Sequence, residues 1–222
     1  MALLKVFTKQ LGAASSNSIA LSQTPGSAAL TLNGSAVSGG IATIDTFNTS
    51  TNSSPGRRVI ITSGGNDSGI NWIVVGTNSD GATVTDTFVG SSGGAAQSDF
   101  DFVTVSSITP SGAVASTAQA GTNGVGSSPW ISLNWHGYSP MNVGVAVELV
   151  SGAANFTIQH TYDDPNNLQG GALFPLPFNS SLIYQASSTV DGPYMTPITA
   201  VRLLINSGTG ELRTRFLQAG AG

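Results

Sequence analysis

Gly90, Ser92 and Gly94 reproduce the G-x-S-x-G spacing of a hydrolase nucleophile elbow and follow a strand-like run, as that motif requires. The elbow also needs a helix directly behind the serine, and here GSSGG passes into AAQSDFDF instead. A serine triad would have to recruit His136 or His160, the chain's only histidines. Among 28 glycines such a spacing arises by chance. No catalytic residue is assigned.

Carboxylates offer the next chemistry. Asp99 and Asp101, two apart in SDFDF, could share one strand face at about 7 Å. That separation suits a glycosidase pair or weak calcium binding, but the stretch reads more simply as a polar strand edge. HTYDDP sets His160 near Asp163 and Asp164 and invites a metal reading. Strand alternation sends the two aspartates to opposite faces unless the chain turns, and Pro165, Asn166 and Asn167 predict a turn. In SGGNDSGINWIVVGTNSDGATVTDTF, Asp67 and Asp80 sit in turn-forming gaps, and the stretch lacks the alternating ligands and distal Glu of an EF-hand. Asp86 is different. It lies between Val84 and Phe88 on an apolar face, so it is expected at a sheet edge or paired with Arg57 or Arg58.

Composition bounds what else the chain can do. Only 8% of its 222 residues are charged, against roughly 25% in ordinary soluble domains, so Ser, Thr, Asn and Gln must wet the surface. With little charge repulsion, broad neutral contact with copies of itself or with a large partner becomes favourable. A net charge of −4 with 7 Lys plus Arg leaves no cationic footprint for a phosphate backbone, so nucleic acid is not an expected partner. No cysteine means no disulfide, thiolate zinc site or cysteine nucleophile. Neither a P-loop lysine nor a dinucleotide fingerprint is present, and no cofactor or metal is expected. Lys5 and Lys9 interrupt the opening apolar run, so neither a signal peptide nor a membrane span is expected.

The elements that must position these residues are strands. Short runs of β-branched and aromatic residues alternate with Gly, Ser, Asn and Pro clusters, which predicts an all-β chain of two antiparallel β-sandwich units in tandem, jelly-roll or Ig-like. Residues 57–63, 71–77 and 82–90 read as three strands of a meander; 18–23, 28–34, 40–46 and 100–112 add more. The uncharged, aperiodic stretch 118–129 reads as a connection, giving a sandwich over 1–120 with an N-terminal arm, a linker at 121–129 and a second sandwich over 130–222. Residues 2–11 suit a short amphipathic helix or an arm packed on a partner, a strand start or disorder being the alternative. In the second unit NVGVAVELV and NFTIQHTY alternate as half-buried strands, and the prolines of GALFPLPFNS exclude a central strand.

ITAVRLLIN, SGTG and ELRTRFLQAG predict a closing hairpin with Arg202 opposite Arg215 and Arg213 nearby on one face. Like charges so placed need an anionic answer, and Asp163 and Asp164 or a neighbouring subunit are the expected source; a solvated charged face is the alternative. Trp130, Trp135 and Tyr138, with Trp72, form a candidate platform for stacking a sugar. Trp130 and Trp135, five apart, would face opposite sides of a regular strand, which favours core or interface roles instead.

The runs LTLNGSAVSGGIATIDT, GRRVIITSGGNDSGINWIVVGTNSDGATVTDTFVG and FDFVTVSSITPSGAV resemble structural proteins of tailed bacteriophage particles. FTIQHTYDDP and PITAVRLLINSGTGELRTRFLQAG resemble the C-terminal β-sandwich of that group. The resemblance implies a virion component without enzymatic activity. Such a protein would be assembled in the host cytoplasm as a trimer or ring, on the capsid surface, neck or tail, against capsid, portal or tail proteins. A capsid decoration or head-to-tail accessory is expected on this basis. A receptor- or carbohydrate-binding module is the second class.

Overall fold

The structure is a computed structural model that describes residues 3–44, 56–79, 81–135, 142–165, 176–177 and 183–218. It is all-β, with no helix among the described residues. Two compact units form. One, the insert unit, comprises Gly12–Asn48 and Ser53–Gly126; the other, the flanking unit, takes its described residues from Met1–Leu11 and Ser127–Gly222.

The insert unit contains β2 (Ser15–Gln23), β3 (Val37–Ser38), β4 (Ile41–Thr43), β5 (Gly56–Ser63), β6 (Asn71–Thr77), β7 (Thr83–Val89), β8 (Ala95–Phe102), β9 (Thr104–Pro110) and β10 (Ala118–Ser127), whose last residue, Ser127, belongs to the flanking unit. One sheet runs β3-β4-β9-β6-β7; the facing one runs β10-β5-β8, with β2 on β10. Alternation turns Val59 and Ile61 of β5 and Trp72 and Val74 of β6 into the shared core, where they meet Phe88, Phe102, Val105 and Ile108, all buried.

Three expectations change here. β6 and β7 pair from Asn71↔Val89 to Thr77↔Thr83, but β5 leaves the expected meander and pairs with β8 in the other sheet. The segment 64–70 therefore arches between layers, and Asp67 holds it: its N–H donates to Ser91 O at 2.9 Å, and its Oδ1 accepts from Ala115 N–H at 2.8 Å. Residues 28–34 form no strand, although Leu30 is buried and its N–H donates to Ile108 O at 2.9 Å. The stretch 118–129, expected as a linker, is mostly strand β10. Its small residues serve close packing: a Cβ added at Gly121 would overlap the Ser15 carbonyl oxygen of β2, a strand that pairs with β10 in an irregular register.

The flanking unit contains β1 (Leu3–Lys9), β11 (Ile131–Ser132), β12 (Val143–Ser151), β13 (Ala154–Thr161), β14 (Leu176–Pro177), β15 (Val190–Tyr194), β16 (Ala200–Gly208) and β17 (Glu211–Gln218). One sheet runs β1-β17-β12-β15; the other contains β14-β13-β16, with β11 on β16. Val143, Val145, Val147, Leu212 and Phe216 from the first sheet meet Phe156, Ile158, Val201, Leu203 and Ile205 from the second. Residues 3–11, expected with the first sandwich, thus belong to the second. Period two decides the state of this segment: Leu4 and Val6 are exposed while Phe7 and Lys9 are buried, which a strand achieves and a helix does not.

The expected closing hairpin is also replaced. β16 pairs with β13 and β17 pairs with β12 and β1, so the connection between them is an arch from one layer to the other. Leu203 and Ile205 point inward from one sheet, Leu212 and Phe216 from the other. The arch removes the like-charge conflict by sending Arg202 to the outside of one sheet and Arg213 and Arg215 to the outside of the other.

Candidate functional site

The residues that could do chemistry in the insert unit are engaged in holding its fold. β5 and β8 pair at Arg58↔Asp101 and again at Ile60↔Gln97, so β8 bulges over Ser98–Phe100. The bulge turns the N–H groups of Asp99 and Phe100 away from the ladder, and Asp86 Oδ2 accepts both, at 2.6 and 3.0 Å. Asp86 does lie in the terminal strand of its sheet, β7, but its partner is this backbone, and the residue is 4% exposed. Arg58 pairs instead with Asp101 at 2.8 Å and donates to Ser98 O, while Arg57 donates to Asn123 O. Asp99 is exposed, so the Asp99/Asp101 pair divides between solvent and a salt bridge. Ser92 is exposed and bridges to Asn66 in the loop before β8, with a strand rather than a helix behind it. Asp80 lies outside the described residues.

In the flanking unit His160 is buried behind exposed Tyr162. Its Nδ1 lies 3.2 Å from the Tyr194 hydroxyl, and both tyrosine rings meet the imidazole edge-on, with centroids 5.3 and 5.5 Å away. Burial lowers the His160 pKa and, together with the neighbouring Tyr162, pushes the Tyr194 hydroxyl far above the usual range. A histidine whose pKa lies below 6.5 when folded binds its proton more readily when unfolded. Stability from this site is complete above about pH 6.5 and is lost as pH falls toward the folded-state pKa. Thermal melts from pH 7.5 to 5 are expected to show a falling midpoint that His160→Gln flattens, the pH range bracketing the ordinary histidine value of about 6.5. An unchanged slope in the variant would assign the loss elsewhere. His136 lies outside the described residues.

The outside of the β1-β17-β12-β15 sheet presents three rows in strict register. Leu4, Leu217, Gly144 and Pro193 form the first; Val6, Arg215, Ala146 and Asp191 the second; Thr8, Arg213 and Glu148 the third. Glu148 Oε2 meets Arg215 Nη2 at 2.9 Å and Arg213 Nη1 at 3.6 Å, so one carboxylate answers two guanidinium groups. All three side chains are about 40% exposed, and each pair contributes no more than about 1 kcal/mol. Glu148 escaped the sequence reading, although it sits in alternation with Val143, Val145 and Val147. Leu4, Val6 and Leu217 stay 59, 47 and 47% exposed.

Arg202 works on the other sheet. Its Nε donates to Gln159 Oε1 at 2.8 Å, its Nη1 to Ser127 Oγ at 3.2 Å, and its guanidinium lies 4.6 Å from the Trp130 ring centroid. Asp163 closes the turn after β13: its N–H donates to Thr161 Oγ1, which donates to Asp163 Oδ2, and its carbonyl accepts from Thr199. Asp164 is half-buried beside it. Of the aromatic platform, Trp72 is fully buried in the insert-unit core, Trp130 is half-buried under Arg202, and Trp135 is 41% exposed. Tyr138 lies outside the described residues.

No protein-family model matches the chain, and no curated protein does. Among solved structures, the major capsid protein P2 of bacteriophage PM2 is similar at 11% identity and a TM-score of 0.21, covering 96% of each chain. The stem and receptor-binding domain of the PM2 spike protein P1 is similar at 9% identity and a TM-score of 0.19, covering 97% of this chain and 96% of that one.

Proposed function

We propose that this chain is a non-enzymatic structural component of a bacteriophage virion, a capsid decoration protein or head-to-tail accessory that binds copies of itself and the capsid, portal or tail. The observation that carries the reading is the outer face of the β1-β17-β12-β15 sheet, where Leu4, Leu217 and Pro193 lie exposed in one row on a chain only 8% charged. Such a face gains free energy when another surface covers it, and repeated contacts of about 1,000 Å² or more would hold the protein on a particle. The engagement of Asp86, Asp101 and His160 within the fold supports a framework role over a catalytic one. The sequence resemblance to tailed-phage structural proteins supports the particle as its place.

Cryo-electron microscopy of purified virions, with mass spectrometry of their proteins, tests the reading. Two sandwiches repeated in a ring or lattice on the head, neck or tail are the expected result. Absence of the chain from purified particles overturns it. Saturable glycan binding lost in Trp135→Ala would move the chain to the receptor-binding class.

A further inference from the structure

We infer that the outer face of the β1-β17-β12-β15 sheet is a self-association surface whose two-fold axis runs along β12. This names the contact by which copies of the chain meet and so rests on the reading of the protein as a self-associating virion component. The first observation is Gly144. It is the second residue of β12, paired in regular register with both neighbouring strands, and it is exposed. A Cβ there would approach only the Leu217 carbonyl, at 3.8 Å, so nothing within the chain excludes a side chain. Glycine weakens a strand at a position paired on both sides, and where no bulge or internal crowding explains it, close approach of another backbone does. Ala146, next on the same face, keeps the centre of the sheet low.

The second observation is the charge arrangement around that low centre. In the row Arg215–Ala146–Asp191 the two charges lie one strand to either side of β12, each about 4.8 Å away. Asp191 is exposed and has no ion-pair partner among the described residues. When a second copy is laid face to face by rotation about β12, Gly144 meets Gly144 and Ala146 meets Ala146. The same rotation places β17 over the partner's β15, so Arg215 of each copy meets Asp191 of the other, twice. Leu217 is carried over Pro193, covering apolar atoms that are now exposed. One unpaired carboxylate and one guanidinium shared with Glu148 thus become a reciprocal pair, the self-complementarity that a two-fold interface requires.

The three strands that overlap, β17, β12 and β15, are five to nine residues long and offer a footprint of about 350 Å² per copy, which suits a weak, reversible contact. Sedimentation equilibrium of the intact chain from about 1 to 100 μM is expected to show a monomer–dimer equilibrium that weakens with added salt. Gly144→Leu, which fills the low centre, and Asp191→Arg, which sets like charges against Arg215, should each raise the dissociation constant about tenfold or more. Both should leave the thermal midpoint within about 2 °C of wild type, since both positions are exposed. A chain monomeric over the whole range, or a dimer indifferent to both substitutions, overturns the inference. A chain present on virions yet monomeric in solution would sink this contact alone. A dimer of the stated behaviour from a chain absent from virions would sink only the virion reading.

Discussion

Asp86→Ala is expected to lower the stability of the insert unit by about 3–5 kcal/mol, because two N–H groups in the β8 bulge lose a buried carboxylate that accepts from both. For a unit of this size that is a fall of about 10–20 °C in its thermal midpoint. Asp86→Asn keeps one carbonyl oxygen and should lose roughly half as much. Calorimetry is the proper readout, since two compact units can melt separately and the flanking unit then serves as an internal reference. A loss below about 1 kcal/mol in the alanine variant would mean that the bulge finds another acceptor.

A contrast between two glycines is the second large effect. Gly121→Ala puts a methyl group into the Ser15 carbonyl and the Ser16 backbone, so β2 must shift as a strand, and the expected cost is about 3 kcal/mol or more. Gly144→Ala places the same group in open space on an extended strand and should be neutral or stabilise by a few tenths of a kcal/mol. Urea denaturation of the two variants against wild type checks both. Equal costs would show that the small residues of β10 are not there to admit β2.

Much of this architecture is legible in the chain before any coordinates. The strand runs around Val59, Trp72, Val84, Val145, Ile158, Leu203 and Leu212 announce themselves because alternation reports which side of each strand is buried. Alternation does not report which strand lies beside which. Gly, Ser and Asn serve an arch between layers as readily as a hairpin within one, so the segment after β5 reads as a turn in a meander and the segment after β16 as the turn of a hairpin. β10 was illegible for a different reason: Ala118, Ala120 and Gly121 are small because a neighbouring backbone is close, and small residues in sequence look like a linker. Asp86 could be recognised as a misfit on an apolar face. Its partner could not, because the N–H groups it binds become available only through a bulge in the next strand, which lies in the other sheet. Arg213 and Arg215 were legible as a charged face, while Glu148 was hidden in an apolar run and Asp191 in a turn-like one.

The pairing of β1 with β17 carries a consequence for how the molecule is made. Phe7 and Thr214 are ladder partners, so the ribosome finishes the second strand of that pair about two hundred residues after the first. At roughly 5–20 residues per second the wait is about 10–40 s. The insert unit, whose segments lie wholly within that interval, can complete its core during it, whereas the flanking sandwich must hold its first strand open until the last is synthesised. Leu4 and Leu217 become neighbours only at that moment. Any docking through their face is thereby deferred until translation has reached β17, a timing that keeps nascent chains on neighbouring ribosomes from joining through it.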